Sequence, residues 1–190
     1  MYNQRMKTIT IVTGNAGKLR EYADLIPTNA GISLINKPLD LLEIQSLDSR
    51  EIVAHKLRQA YEKLGTPVIV EDVAASLDGL QGLPGPFIKF FLQRLGSDVL
   101  YQLAPQDNNA VSIICTAGFY DGQRMLFGEG VLRATIVAPR GDSNFGFDPT
   151  VVPEGQTRTL AEITLAEKNA ISHRSKAIKH LLEQLQSVQA

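Results

Sequence analysis

The residue pattern predicts an α/β protein: one unit with a mixed β-sheet and helices on both faces. Three observations lead there. Residues 8–13 (TITIVT) form a short apolar run that passes through Gly14, Asn15, Ala16 and Gly17 into the helical spacing of Leu19, Tyr22, Ala23 and Ile26. A second amphipathic helix leads into Val68, Ile69 and Val70, a run suited to a buried strand. Residues 110–120 form a long apolar strand, joined by Asp121-Gly122 to residues 123–127, so the second half contains antiparallel pairing.

Taken in order, the first helix covers residues 18–26 and stops at Pro27. Residues 31–36 are a second strand, and residues 40–45 (DLLEIQ) are extended. Asp48 followed by Glu51 three residues on is a capping-box pattern. The helix it opens buries Ile52, Val53, Leu57, Ala60, Tyr61 and Leu64 and ends at Gly65. The strand from Val68 is expected to stop on Glu71 and Asp72, delivering carboxylates to the rim of the sheet, where open α/β sheets place ligands. A glycine- and proline-rich turn from Gly79 to Pro86 follows. Residues 87–95 form a short helix carrying Phe87, Phe90, Phe91 and Leu95. Residues 128–137 add another strand, residues 138–149 (APRGDSNFGFDP) are a loop, and residues 171–185 are a helix with Ile178, Leu181, Leu182 and Leu185 on one face. No repeat or linker interrupts residues 1–190, which are read as one domain.

The totals narrow the function. A chain of 190 residues holds one good core, and 44% hydrophobic with 21% charged residues is ordinary for a soluble globular protein. A formal net charge of -1 excludes the broad basic field of a nucleic-acid binder. No stretch approaches the roughly 18 apolar residues of a membrane span, and no leader is evident, so the expected location is cytoplasmic. The single cysteine, Cys115, excludes an intramolecular disulfide and a cysteine zinc cage, and within VSIICTAGFY it reads as a buried structural thiol.

Five groups of residues carry chemistry. Thr13 to Lys18 (TGNAGK) is not a Walker A loop: only two residues separate Gly14 from Gly17, and Leu19 follows the lysine where a magnesium-binding hydroxyl belongs. A small-residue turn at a helix start with Asn15 and Lys18 as donors suits a triphosphate; it equally suits an ordinary strand–helix turn. Glu43, Glu71 and Asp72 suit magnesium, which takes one or two carboxylates plus phosphate oxygens, and a carboxylate near the metal can accept a proton from water. Acids at strand ends are also common without a ligand. Lys18, Lys56, Lys89, Lys168 and Arg174 each read alone as solvated charges, but four lie in segments suspected for other reasons. Phe145, Gly146, Phe147 and Asp148 place two aromatics around a glycine, either to stack a flat base or to fold back into the core. Ser172-His173-Arg174 has no G-x-S-x-G elbow elsewhere in the chain, which argues against a serine triad, and His173 with Arg174 fit better as donors to a ligand carbonyl or phosphate.

Together TGNAGKLREY, VEDVAASLDGLQGLPGPFIKFF, APRG, FGFDP and LAEITLAEKNAISHR resemble, in order, the blocks of the inosine triphosphate pyrophosphatase family, the non-canonical purine nucleoside triphosphate pyrophosphatases. The resemblance runs from Thr13 to about Leu182. It implies an elongated mixed sheet flanked by helices, two lobes with a central cleft, and a homodimer. It implies hydrolysis of ITP, dITP and XTP to the monophosphate and pyrophosphate with magnesium, for which manganese can substitute, clearing deaminated purines from the nucleotide pool. By position, Thr13, Gly14, Asn15, Ala16, Gly17 and Lys18 would hold the triphosphate, and Glu43 and Asp72 would bind magnesium. Asp72 would stand by the attacking water with Glu71 beside it, while Lys56, Lys89 and Lys168 neutralise phosphate. Phe145 to Asp148 would enclose the base and His173 and Arg174 would reach its 6-oxo group. Val73 stands where the family has Thr or Ser, so a hydroxyl contact is lost and the backbone serves there or activity is altered. A pyrophosphatase acting on modified pyrimidine or methylated nucleotides, and a nucleotide sensor without turnover, are the competing readings.

Overall fold

The computed structural model describes residues 7–26, 31–142 and 146–187. Pro27, residues 2–6 and Phe145 lie outside the described residues. The described strands are β1 (Lys7–Ile11), β2 (Ile32–Asn36), β3 (Val68–Leu77), β4 (Pro84–Gly85), β5 (Ala110–Tyr120), β6 (Met125–Ile136) and β7 (Val151–Pro153). They form one sheet in the order β2-β1-β3-β5-β6-β7, with β4 on β3. β1 runs parallel to β2 and β3, while the remaining pairs are antiparallel, so the sheet is mixed as expected. The helices are α1 (Ala16–Leu25), α2 (Ser49–Leu64), α3 (Ile88–Leu95), α4 (Val99–Leu103), α5 (Leu165–Ile171) and α6 (His173–Ser187).

β3 organises the molecule because alternate side chains leave it on opposite faces. On one face Ile69 joins Tyr22 of α1, Cys115 and Phe119 of β5, and Ala177, Ile178 and Leu181 of α6. Farther along the same strand, Ala75 and Leu77 join Ile88 of α3, Val99 and Leu100 of α4, and Ile113 and Leu132. On the opposite face, Val68 and Val70 pack on Val53, Leu57 and Ala60 of α2. Each of these fully buried aliphatic side chains contributes about 1.5–3 kcal/mol by leaving water. Two separate cores on one face are the two lobes. Val73 touches both, so it marks the seam between them.

The strand does not end at its acids. β5 pairs with all ten residues of β3, from Val68↔Tyr120 to Leu77↔Val111, and this holds the chain in the sheet past Glu71 and Asp72. What ends is the neighbour on the other side. β1 pairs only with Val68 and Ile69, and β4 takes up the edge again at Ala75. The open edge between them is where the acids reach the rim.

Other elements also differ from expectation. β6 is one continuous strand rather than two, because β5 pairs with it along its whole inner edge. The β5–β6 connection takes four residues, 121–124, since the Asp121 carboxylate accepts the N–H groups of Gln123 and Arg124 and closes the turn around Gly122 at φ +92°. The C-terminal helix starts at His173 rather than at residue 171, because Ser172, extended at ψ 155°, separates it from α5. β4, α4, α5 and β7 were not anticipated. Asp48 caps α2 by accepting from Arg50 N–H, but Glu51 accepts from the Ser46 hydroxyl, so the reciprocal half of the box is absent there. A full capping box forms instead at α5, between Thr164 and Glu167.

Helix faces divide likewise. α6 buries Ile178, Leu181, Leu182 and Leu185 as its spacing predicts. α1 is rotated so that Glu21, not Ala23, is buried beside Tyr22. α3 buries Ile88 and leaves Phe90 and Leu95 about half exposed. No described helix is long and apolar enough to cross a membrane.

Candidate active site

Between the two cores on the β3 face lies a cleft of about 500 Å³. Its walls come from the β1–α1 turn, the segment before α2, the open edge of β3, α3, the start of α6, and residues 146–148. Thr13, Gly14, Asn15, Lys18, Glu43, Lys56, Glu71, Asp72, Val73, Lys89, Gly146, Phe147, Asp148, His173 and Arg174 all line it. Sequence positions up to 161 residues apart thus meet in one place. Ala16, Gly17 and Lys168 do not line it.

The β1–α1 turn spends part of its hydrogen-bonding capacity on the helix it opens. Asn15 caps α1, and its Oδ1 accepts from Gly17 N–H at 2.9 Å and Lys18 N–H at 3.1 Å. Those two N–H groups are therefore taken, and Thr13 Oγ1 takes the N–H of Asn15 at 3.1 Å. What the turn offers the cleft is Asn15 itself, Gly14 and the Lys18 ammonium.

Lys18 is one end of a chain of six alternating charges. Its Nζ lies 2.9 Å from Glu71 Oε1. Glu71 also receives Arg174 in a fork, Nε to Oε2 at 2.9 Å and Nη2 to Oε1 at 2.9 Å. Arg174 Nη1 pairs closely with Glu21, Glu21 with Lys168 at 3.1 Å, and Lys168 with Asp148 at 2.6 Å. Three cations balance three carboxylates, which is how so much charge remains buried. Arg174 is only 1% exposed. Burial alone would raise the Glu71 carboxyl, but Arg174 and Lys18 overcome it and hold the group well below the carboxylate range. Glu71 thus anchors two cations, and Lys168, buried between Glu21 and Asp148, does not reach the cleft lining. The guanidinium of Arg174 is held at the cleft wall rather than reaching across it.

A second chain runs along the rim. Lys56 Nζ lies 3.1 Å from Glu43 Oε1 and 3.8 Å from Asp72 Oδ1, and donates to the Glu71 carbonyl at 2.9 Å. Lys89 Nζ meets Glu43 Oε2 at 3.0 Å, and Ser49 Oγ donates to Asp72 Oδ2 at 3.1 Å. The Glu71 carbonyl and Ile69 carbonyl point to the open edge, so by alternation the main-chain groups of Val73 do too. The backbone is thus available where the family's hydroxyl is missing, and the Val73 side chain is used for packing.

Asp72 differs from Glu71. Burial raises its carboxyl above the ordinary aspartate range despite Lys56, Lys18 and the Ser49 hydroxyl. It is a carboxylate with too little positive charge nearby, and an added cation would meet that need. No group of three or more His, Cys, Asp or Glu side chains converges among the described residues. Glu43 and Asp72 alone still satisfy magnesium, which fills its remaining positions with water and phosphate oxygens. The described cleft lining carries Lys18, Lys56, Lys89 and Arg174 against Asp40, Glu43, Glu71, Asp72 and Asp148. A polyphosphate entering that balance requires a further cation, so the donor set fits a divalent ion.

His173, 2% exposed, opens α6 at the cleft, and its Nδ1 is buried without a partner. Burial, reinforced by Arg174 and Lys168, depresses its pKa well below the histidine range, so the ring is neutral. Phe147 is 7% exposed and belongs to the α3–α4 core while still lining the cleft. Glu21 and Ser49 were not foreseen. Glu21 lies off the apolar stripe of α1 and gives no sequence signal, and Ser49 is hidden inside a capping pattern.

An open strand edge, a cleft lined by four cations and a buried ion network define an α/β protein whose cleft suits a small polyanion. The chain belongs to the Ham1 family, whose family model matches residues 9–184. It is 43% identical over 180 residues to the inosine triphosphate pyrophosphatase of Podospora anserina, covering 92% of each chain. The solved Staphylococcus aureus Ham1 protein superposes with a TM-score of 0.80 at 22% identity, over 95% of this chain and 99% of that one, which shows a shared fold. The nucleoside-triphosphatase / dITP/XTP pyrophosphatase of Mycobacterium abscessus matches with a TM-score of 0.70 at 25% identity, over 92% and 98% of the two chains.

Proposed function

We propose that residues 1–190 work as one Mg2+-dependent enzyme that hydrolyses non-canonical purine nucleoside triphosphates, ITP, dITP and XTP, to the monophosphate and pyrophosphate. The observation that carries this reading is the convergence of Lys18, Lys56 and Lys89 on a cleft that also holds the undercompensated carboxylate of Asp72. The names of the Podospora and Mycobacterium relatives support the substrate class.

The cleft's own residues suggest the division of labour. Glu43 and Asp72 would hold magnesium, or manganese in its place, which would supply neutralisation of phosphate charge and a more acidic water. Water attacks the α-phosphorus, the α–β anhydride P–O bond breaks, and pyrophosphate leaves with the bonding pair. Asp72, in its ionised form, takes the proton from the attacking water. Lys18, Lys56 and Lys89 stabilise charge on the departing pyrophosphate. Lys168 supports Asp148 and Glu21 from below.

Selectivity rests on donors. The guanidinium of Arg174 can only donate, and Glu71 with Glu21 hold it in place, so it cannot adapt to a different base. A 6-oxo group accepts from such a wall, and the 6-amino group of adenine opposes it. Mismatches of that kind discriminate by up to about 10⁴-fold. His173, Gly146, Phe147 and Asp148 complete the base side, with Phe145 as a further expected contact. In a cell the protein would act in the cytoplasm as a homodimer, clearing deaminated purines from the nucleotide pool. Incubation with ITP, XTP, dITP, GTP and ATP in magnesium, with products resolved, tests the reading: IMP and pyrophosphate from ITP are expected, and IDP with phosphate would refute it.

A further inference from the structure

We infer that Gln59 is a positioning residue that sets Glu43 for the divalent cation and substrate, an inference that rests on the function proposed above. The segment carrying Glu43 has almost nothing of its own to hold it. Among the described residues, no main-chain to main-chain hydrogen bond involves residues 38–47. Leu39 and Leu41 pack on the α2 core, but Leu42, next to Glu43, is 68% exposed and has no burial to anchor it.

Its anchor is a side chain. Gln59 Oε1 accepts from the Leu42 N–H at 3.0 Å, and Gln59 Nε2 donates to the Leu42 carbonyl at 2.8 Å. One amide thus supplies both halves of the pairing a neighbouring strand would make. The same Nε2 lies 2.9 Å from His55 Nδ1, which can accept from it when the ring proton is on Nε2 of the histidine. Gln59 is the middle of three contacts along one face of α2. Lys56 reaches Glu43 at 3.1 Å and Lys63 donates to the Asp40 carbonyl at 2.6 Å, so helix and segment run alongside each other in opposite directions. Lys56 contacts the Glu43 carboxylate and Lys63 holds the chain three residues before it. Gln59 alone pins the main chain of the residue beside it.

Gln59→Met tests this, since it keeps side-chain length and helix propensity while removing both amide functions. The Mg2+ concentration that half-saturates ITP hydrolysis should rise about tenfold, the scale typical of outer partners of a metal ligand. Saturating Mg2+ should restore kcat to within about twofold. Hydrogen exchange at the Leu42 amide should quicken about tenfold or more, while β3 and β5 amides keep their protection. Gln59→Ala should shift both readouts the same way. In a Glu43→Gln background, Gln59→Met should add no further change in the Mg2+ requirement. A Mg2+-dependent wild type whose Gln59→Met form has an unaltered Mg2+ requirement and unaltered Leu42 exchange overturns the inference and leaves the proposed function standing. A loss in Gln59→Met that Mg2+ does not repair and that persists undiminished beside Glu43→Gln also overturns it. A wild type that turns over no nucleotide, or does so without a divalent ion, brings down the proposed function first and this inference with it.

Discussion

Glu71 and Asp72 are adjacent, chemically similar, and differently employed. Alternation sends Glu71 toward α1 and α6, where Lys18 and Arg174 hold it ionised, and sends Asp72 toward α2, where Ser49 and a more distant Lys56 leave it short of positive charge. Substitution should separate the roles. Asp72→Asn is expected to lower kcat by on the order of 10³-fold while keeping the melting temperature near wild type, measured by pyrophosphate release and calorimetry. Glu71→Gln should instead destabilise the fold by about 3 kcal/mol, because it strips a buried guanidinium of its forked partner. The pH dependence has a definite sign. The depressed Glu71 carboxyl stabilises the native state fully above the ordinary glutamate value of 4.5 and progressively less as the pH falls below it. Denaturation of both proteins across that range should show the gap widest at neutral pH and closing in acid; a gap that widens in acid would refute the assignment.

At the scale of elements, the position of the site depends on how α6 lies on β6. Gly128 and Gly130 let the helix approach the strand directly: a Cβ at Gly130 would stand 2.1 Å from the His173 carbonyl oxygen and 2.5 Å from Ala177 N, and one at Gly128 would stand 2.1 Å from the Ala177 carbonyl oxygen. Gly130→Ala should therefore cost about 1–3 kcal/mol by overpacking, displace the start of α6, and reduce kcat/KM for ITP, with thermal unfolding and steady-state rates as the checks. Unchanged stability would mean that the helix is not seated on this glycine. Elements with a strong period were legible in the sequence: α2, α6 and β5 lie within a residue or two of expectation at most of their ends. β3 starts at Val68 as expected, but its far end was not legible, because a strand's length is set by its partners, and nothing in VIVEDVAASL tells that β5 pairs beyond the acids while β1 does not. The turn in α1 that buries Glu21 was hidden for the same reason: its partners, Arg174 and Lys168, are about 150 residues away.

Across the whole molecule, two cores on one sheet face leave a cleft at their seam, and the open edge of β3 supplies its floor. That Thr13 to Asn15, Lys18, Glu43, Asp72 and 146–148 belong together was legible from the ordered blocks that resemble the family, although Asp72 lies mid-strand and Glu43 in a segment outside any helix or strand. What the motifs did not reveal is which charges touch ligand and which hold one another. Lys168 pairs with Glu21 and Asp148 away from the cleft lining, whereas Lys56 and Lys89, though paired with Glu43, line it, and only the three-dimensional placement separates them. The central claim is that this cleft hydrolyses a 6-oxopurine triphosphate between its α- and β-phosphates and rejects adenine. The direct measurement is the initial rate and product distribution with ITP and ATP at equal concentration in Mg2+. IMP and pyrophosphate formed at least about 10²-fold faster than AMP from ATP are predicted; equal rates on the two nucleotides, or IDP and phosphate as products, would contradict it.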